Sequence, residues 1–96
     1  MRCFELTETF IEWLGKLKDI RIKSRIRVRI ERAVMGNFGD WKPEGGEVRA
    51  MRIDYGPGYR LYYTIRNNRI IILLCGGDKH TQKADIKKAY DLLKEI

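Results

Sequence analysis

The chain of 96 residues carries 20 Lys and Arg against 13 Asp and Glu, a formal net charge of +7 that points to an anionic partner: nucleic acid, an acidic protein or an anionic membrane. Its 44% hydrophobic and 34% charged residues exclude a disordered chain and fit one domain, residues 1–96, with a single modest core. Two cysteines far apart in sequence and one histidine do not supply the usual structural zinc site, and no metal or other cofactor is expected.

Cys3 and Cys75 read as buried thiols in a reducing cytoplasm. Glu5, Glu8 and Glu12 do not fit a signal peptide, and no apolar run approaches the ~20 residues of a membrane span.

Arg2 to Leu6 reads as a short edge strand. Thr7 is suited to cap a helix with Glu8 in its positive first turn, and Phe10, Trp13, Leu14 and Leu17 share one helical face. Ile20 to Met35 fits a two-residue period and a helical one. About sixteen residues without a turn signal exceed an ordinary strand of ~5–6, so a second helix is expected. Its Arg21, Lys23, Arg25, Arg27, Arg29 and Arg32 make either a solvated face or a surface for an anion or an acidic partner segment.

Gly36 to Glu47 holds four glycines and a proline and reads as a loop. Trp41 within it is either a plug folded over the sheet or an exposed platform for a base. Val48 to Tyr55 alternates, with Met51 and Ile53 on one face and Ala50, Arg52 and Asp54 on the other. Tyr55-Gly56-Pro57-Gly58 turns the chain into the alternating strand Tyr59 to Ile65. Asn67-Asn68 supplies a tight turn, because Asn tolerates positive φ. Ile70 to Cys75 is apolar on both faces and reads as a central strand, which Gly76-Gly77 should break. Thr81 then caps a last helix with a buried stripe of Ile86, Ala89, Tyr90 and Leu93. The expected fold is α+β: an antiparallel sheet of about four strands, two N-terminal helices on one face and a C-terminal helix, in the order βααβββα.

With one sheet face left open, Arg52, Arg60 and Tyr62 would stand there on adjacent strands, and Lys79 and His80 would arrive at the end of the next. Like charges held close repel unless an anion joins them. The alternative is solvation or structural ion pairs to Asp54 and Asp78. Basic and aromatic residues interleaved on a sheet suit single-stranded nucleic acid.

The segments GNFGDWKP, VRAMRIDYGPGYRLYYTI and GGDKHTQKADIKKA resemble the RelE/ParE toxin superfamily. Within it they are most similar to the HigB-like addiction-module killer branch, which is related to a phage-derived protein family. The resemblance runs from the first strand to Ala89. It implies a compact sheet with helices on one side, and a toxin that cuts mRNA in the ribosomal A site until a partner antitoxin protein neutralises it. Arg52 and Arg60 match the strand arginines of that pattern, and Lys79 and Gln82 its elbow motif. The residues expected to be catalytic are therefore Arg52, Arg60, Lys79 and His80, and those expected to bind RNA are Trp41, Lys42, Tyr62 and Gln82. Ala50 departs from the Glu that many relatives carry, and the last six residues lack the Tyr or His found near the C-terminus of other RNA-cleaving relatives. The superfamily also contains gyrase inhibitors. A gyrase-targeting toxin and a basic nucleic-acid-binding domain that never cleaves both remain open.

Overall fold

A computed structural model describes residues 2–96. The Thr7 hydroxyl accepts the Phe10 amide proton and opens helix α1 (Glu8–Lys16). The Asp19 carboxylate accepts the Arg21 amide proton at the start of helix α2 (Ile20–Val34). Each satisfies an amide that the first helical turn leaves free. The helical period prevails over the two-residue one in the basic segment, because Ile22, Ile26, Ile30 and Ala33 make one continuous buried stripe.

Five strands form one mixed sheet: β1 (Cys3–Leu6), β2 (Trp41–Pro43), β3 (Arg49–Ile53), β4 (Tyr59–Arg66) and β5 (Ile70–Asp78), in the spatial order β1-β5-β4-β3-β2. Helix α3 (Gln82–Leu93) closes the element order βααββββα. Two features correct the expectation of about four antiparallel strands. β1 pairs with β5 in parallel: α1 and α2 carry the chain from β1 across to β2 at the opposite edge, and three antiparallel pairings bring it back to β5. β2 lies inside the Gly-rich segment read as a loop, where Trp41, Lys42 and Pro43 pair with Met51, Ala50 and Arg49. Asn67 and Asn68 both adopt positive φ, 54° and 53°, in the turn between β4 and β5.

The sheet is covered on both sides. Phe10, the α2 stripe, Met51, Leu61, Tyr63, Ile71 and Leu73 form the core under α1 and α2. Val48, Ala50, Tyr62, Leu74, Cys75 and Ala89 form a second core under α3. The second face is therefore closed along much of β3 and β4, where an open one was expected. β5 joins both cores through a bulge: Tyr62 faces Cys75 and Tyr63 faces Leu73, so Leu74 is the extra residue.

Gly76 and Gly77 do not break β5, which runs on to Asp78. They let two helices approach it. A Cβ on Gly76 would lie 2.3 Å from the Trp13 ring of α1, and one on Gly77 would lie 1.8 Å from Asp85 Oδ2 of α3. Cys75 is buried, and burial pushes its thiol up to about 12, whereas Cys3 is exposed on the edge strand, against expectation. No helix among the described residues is long and apolar enough to cross a membrane.

Gly76→Ala is expected to lower stability by about 1–3 kcal/mol through overpacking against Trp13. Gly15→Ala, with open space at its Cβ position, should be neutral or gain up to about 1 kcal/mol. Urea denaturation of both variants checks the pair. In native protein at neutral pH, iodoacetamide followed by mass spectrometry should find Cys3 modified and Cys75 protected until unfolding.

Candidate functional site

Strand register builds the site. Arg52 of β3 pairs directly with Arg60 of β4, and Arg60 with Gly77 of β5. Alternation puts both arginines on the face of Ala50 and Tyr62, two residues before Arg52 and two after Arg60. The side-chain position of Gly77 is taken by the Asp85 carboxylate of α3 and the Thr81 hydroxyl. Asp40, Arg52, Asp54, Tyr59, Arg60 and Lys79, with the Gly56-Pro57-Gly58 turn, line one cleft of about 380 Å³.

The two arginines differ in their partners. Arg52 donates to Asp40 Oδ1 through Nη2 at 2.7 Å and Nε at 3.2 Å. Both partners are substantially exposed, so the pair contributes at most about 1 kcal/mol. Arg60 Nε is buried with no hydrogen-bond partner. Two like charges directly opposite on adjacent strands repel; Asp40 offsets one, and the other stands ready for an anion. Asp78, considered as a partner from sequence, is turned away. Its carboxylate accepts the His80 and Thr81 amide protons in the turn before α3.

Arg29 of α2 fixes this corner. Its guanidinium donates to the carbonyls of Arg52, Phe38 (3.0 Å) and Asp40 (3.1 Å). The Arg52 amide also donates to the Asp40 carbonyl at 2.7 Å. Burial pulls the Arg29 guanidinium below its ordinary pKa, and the Asp40 carboxylate opposes that shift. The loop carrying Asp40 is thereby held against the end of β3, where its carboxylate reaches Arg52.

The remaining expected site residues lie elsewhere. His80 is exposed in the turn after β5, outside the lining of the cleft. Gln82 is half-buried at the start of α3. Lys42 is half-buried, with Nζ 3.3 Å from Glu44 Oε1. Trp41 is 42% exposed on edge strand β2, with the Arg49 guanidinium 5.6 Å from its ring centroid, so it plugs nothing and lies apart from the cleft. Tyr62 corrects an expectation: it is fully buried beneath α3, its hydroxyl is unpartnered, and burial pushes its phenol above the ordinary value. No base can stack on it. Ala50 is fully buried opposite Tyr62, so this position supplies packing, and a carboxylate there would be costly to bury.

Sequence reasoning missed Asp40, Tyr59 and Arg29. Tyr59 alternates with Arg60, and only the strand end brings it to the cleft. The arrangement can do one thing plainly: three cations against two carboxylates, one of them already paired, favour a phosphate-sized anion. Among the described residues no group of three or more His, Cys, Asp or Glu is placed to hold a metal.

A family model described as "Phage derived protein Gp49-like (DUF891)" matches residues 12–94. An uncharacterized protein of Haemophilus influenzae is 50% identical over 90 residues, covering 94% of this chain and 91% of its own length.

Arg29→Ala removes a charged donor from three carbonyls and is expected to cost about 1.5–3 kcal/mol. Arg29→Lys should recover only part of that, because an ammonium does not reproduce the guanidinium fork. Chemical denaturation of the two variants measures both.

Proposed function

The chain belongs to the Phage derived protein Gp49-like family, which is related to the RelE/ParE-like toxins, and from that premise we propose that it is the toxin of a type II toxin–antitoxin pair. In this reading it is a HigB-like endoribonuclease of the cytoplasm that cuts mRNA on the ribosome and arrests translation until an antitoxin covers it. The observation that carries the reading is the cleft lined together by Arg52, Arg60 and Lys79, in which Arg60 forms no ion pair among the described residues.

RNA brings its own nucleophile. The 2′-oxygen attacks the adjacent phosphorus in line, the bond to the 5′-oxygen breaks, and the products are a 2′,3′-cyclic phosphate and a 5′-hydroxyl. Arg60 takes the non-bridging oxygens, whose charge grows in the phosphorane. Arg52 exchanges its exposed partner Asp40 for the neighbouring phosphate, at little cost because the pair contributes little. Lys79 donates a proton to the departing 5′-oxygen, and Asp54 accepts the proton of the attacking hydroxyl. Each transfer contributes about 10²–10⁴-fold. With no imidazole in the cleft lining, free RNA is cut slowly, and the ribosome supplies alignment of the attacking oxygen.

The position of His80 outside the cleft favours one second reading, binding without cleavage, as in a gyrase-targeting toxin or a plain nucleic-acid-binding domain. Inhibition of purified gyrase with mRNA left intact would select the gyrase-targeting toxin, and RNA binding without new 5′ ends the plain binding domain.

Arg60→Ala is expected to reduce cleavage by about 10²–10³-fold and to abolish growth arrest, with the circular dichroism spectrum unchanged. Persistent toxicity from a natively folded Arg60→Ala protein would overturn the assignment.

A further inference from the structure

A second cleft, of about 460 Å³, opens on the α2 side of the end of β3 and shares Asp40, Arg52, Ile53 and Asp54 with the first. Its far wall is one face of α2. Arg25, Val28, Arg29 and Arg32 line it at the spacing i, i+3, i+4, i+7. The three arginines are not equivalent. Arg29 is committed to backbone carbonyls. Arg25 and Arg32 are exposed, and among the described residues neither forms an ion pair. The Arg25 guanidinium lies 4.7 Å from the Tyr55 ring centroid, a contact that orients the cation without neutralising it.

Arg32 lies seven positions beyond Arg25 on the helix, about 10.5 Å along the axis. Between them Val28 and Ile53 give the cleft an apolar floor. An apolar floor flanked by free guanidinium groups fits a nucleotide, with the sugar or base on the floor and phosphates at the rim. Arg52 stands on the boundary between the clefts, so one strand can pass from Arg60 and Lys79 over Arg52 to Arg25 and Arg32.

We propose that the α2 cleft is a second phosphate-binding subsite, in which Arg25 and Arg32 hold the nucleotides flanking the one at Arg60, so that single-stranded RNA crosses the end of β3. The identity of the ligand rests on the ribonuclease reading. The basic face of α2 on this side is then an RNA track, and the acidic-partner alternative applies to it only if the following test fails.

The test uses 2′-O-methyl RNA, which cannot be cut because its attacking hydroxyl is blocked. Anisotropy measures binding of a dinucleotide and a hexanucleotide across a range of salt. For wild type, the hexanucleotide should bind more tightly and with a salt slope steeper by about 1.4, two contacts at about 0.7 each. The double variant Arg25→Ala/Arg32→Ala should lose that increment and keep dinucleotide binding. Lys23→Ala/Arg27→Ala removes the same charge from the opposite flank of α2, where both residues line a different groove, and should keep the increment. Equal losses in the two double variants would show diffuse attraction and overturn the subsite. Unchanged hexanucleotide binding in Arg25→Ala/Arg32→Ala, with dinucleotide binding still lost in Arg60→Ala, would overturn the subsite and leave the proposed function standing. No binding of either RNA by wild type would overturn both.

Discussion

One half-buried guanidinium organises the functional end of this molecule. Arg29 reaches from α2 to three carbonyls, two in the loop before β2 and one on β3. Removing that charge from water is costly, and the three acceptors offset the cost. The tether fixes α2 against the strand that carries Arg52, and it fixes the loop whose Asp40 carboxylate reaches the same arginine. Both basic clefts meet at this corner. Without it the arginines of α2 and of the sheet would be separate surface charges of little consequence.

A division of labour among cations follows. Arg29 is structural, Arg52 is held loosely by an exposed carboxylate, and Arg60 lines the cleft without an ion pair among the described residues. Charge count alone does not distinguish these three. A surface ion pair breaks readily when a phosphate competes for it, whereas a cleft guanidinium with no carboxylate partner has none to give up. Arg60 is therefore the cation on which the chemical reading leans, with Arg52 a partner that becomes available as the substrate arrives.

Much of this was legible in the sequence where periodicity speaks. The stripe of Ile22, Ile26 and Ile30, the Asn67-Asn68 turn and the two-sided apolar run of β5 all carry local signals that survive in the fold. Alternation also put Arg52 and Arg60 on one face. Illegible were features decided by distant partners. A parallel neighbour for β5 leaves no mark on β1, and β2 pairs through its backbone from within a Gly-rich segment. Gly76 and Gly77 looked like a break because their packing partners, Trp13 and Asp85, lie far away in sequence. Tyr62 was read as open for a related reason. The apolar stripe of α3 was recognised, but the face it covers was not. Arg29 and Asp40 gave no signal at all, since one sits in a run of similar arginines and the other in an irregular loop.

The central claim is that the cationic corner positions an RNA phosphate for cleavage. Mapping RNA 5′ ends in cells after brief induction of the protein tests it most directly. The expected result is a set of new 5′-hydroxyl ends within translated messages, appearing before growth stops. Growth arrest with an unaltered pattern of ends would contradict the claim.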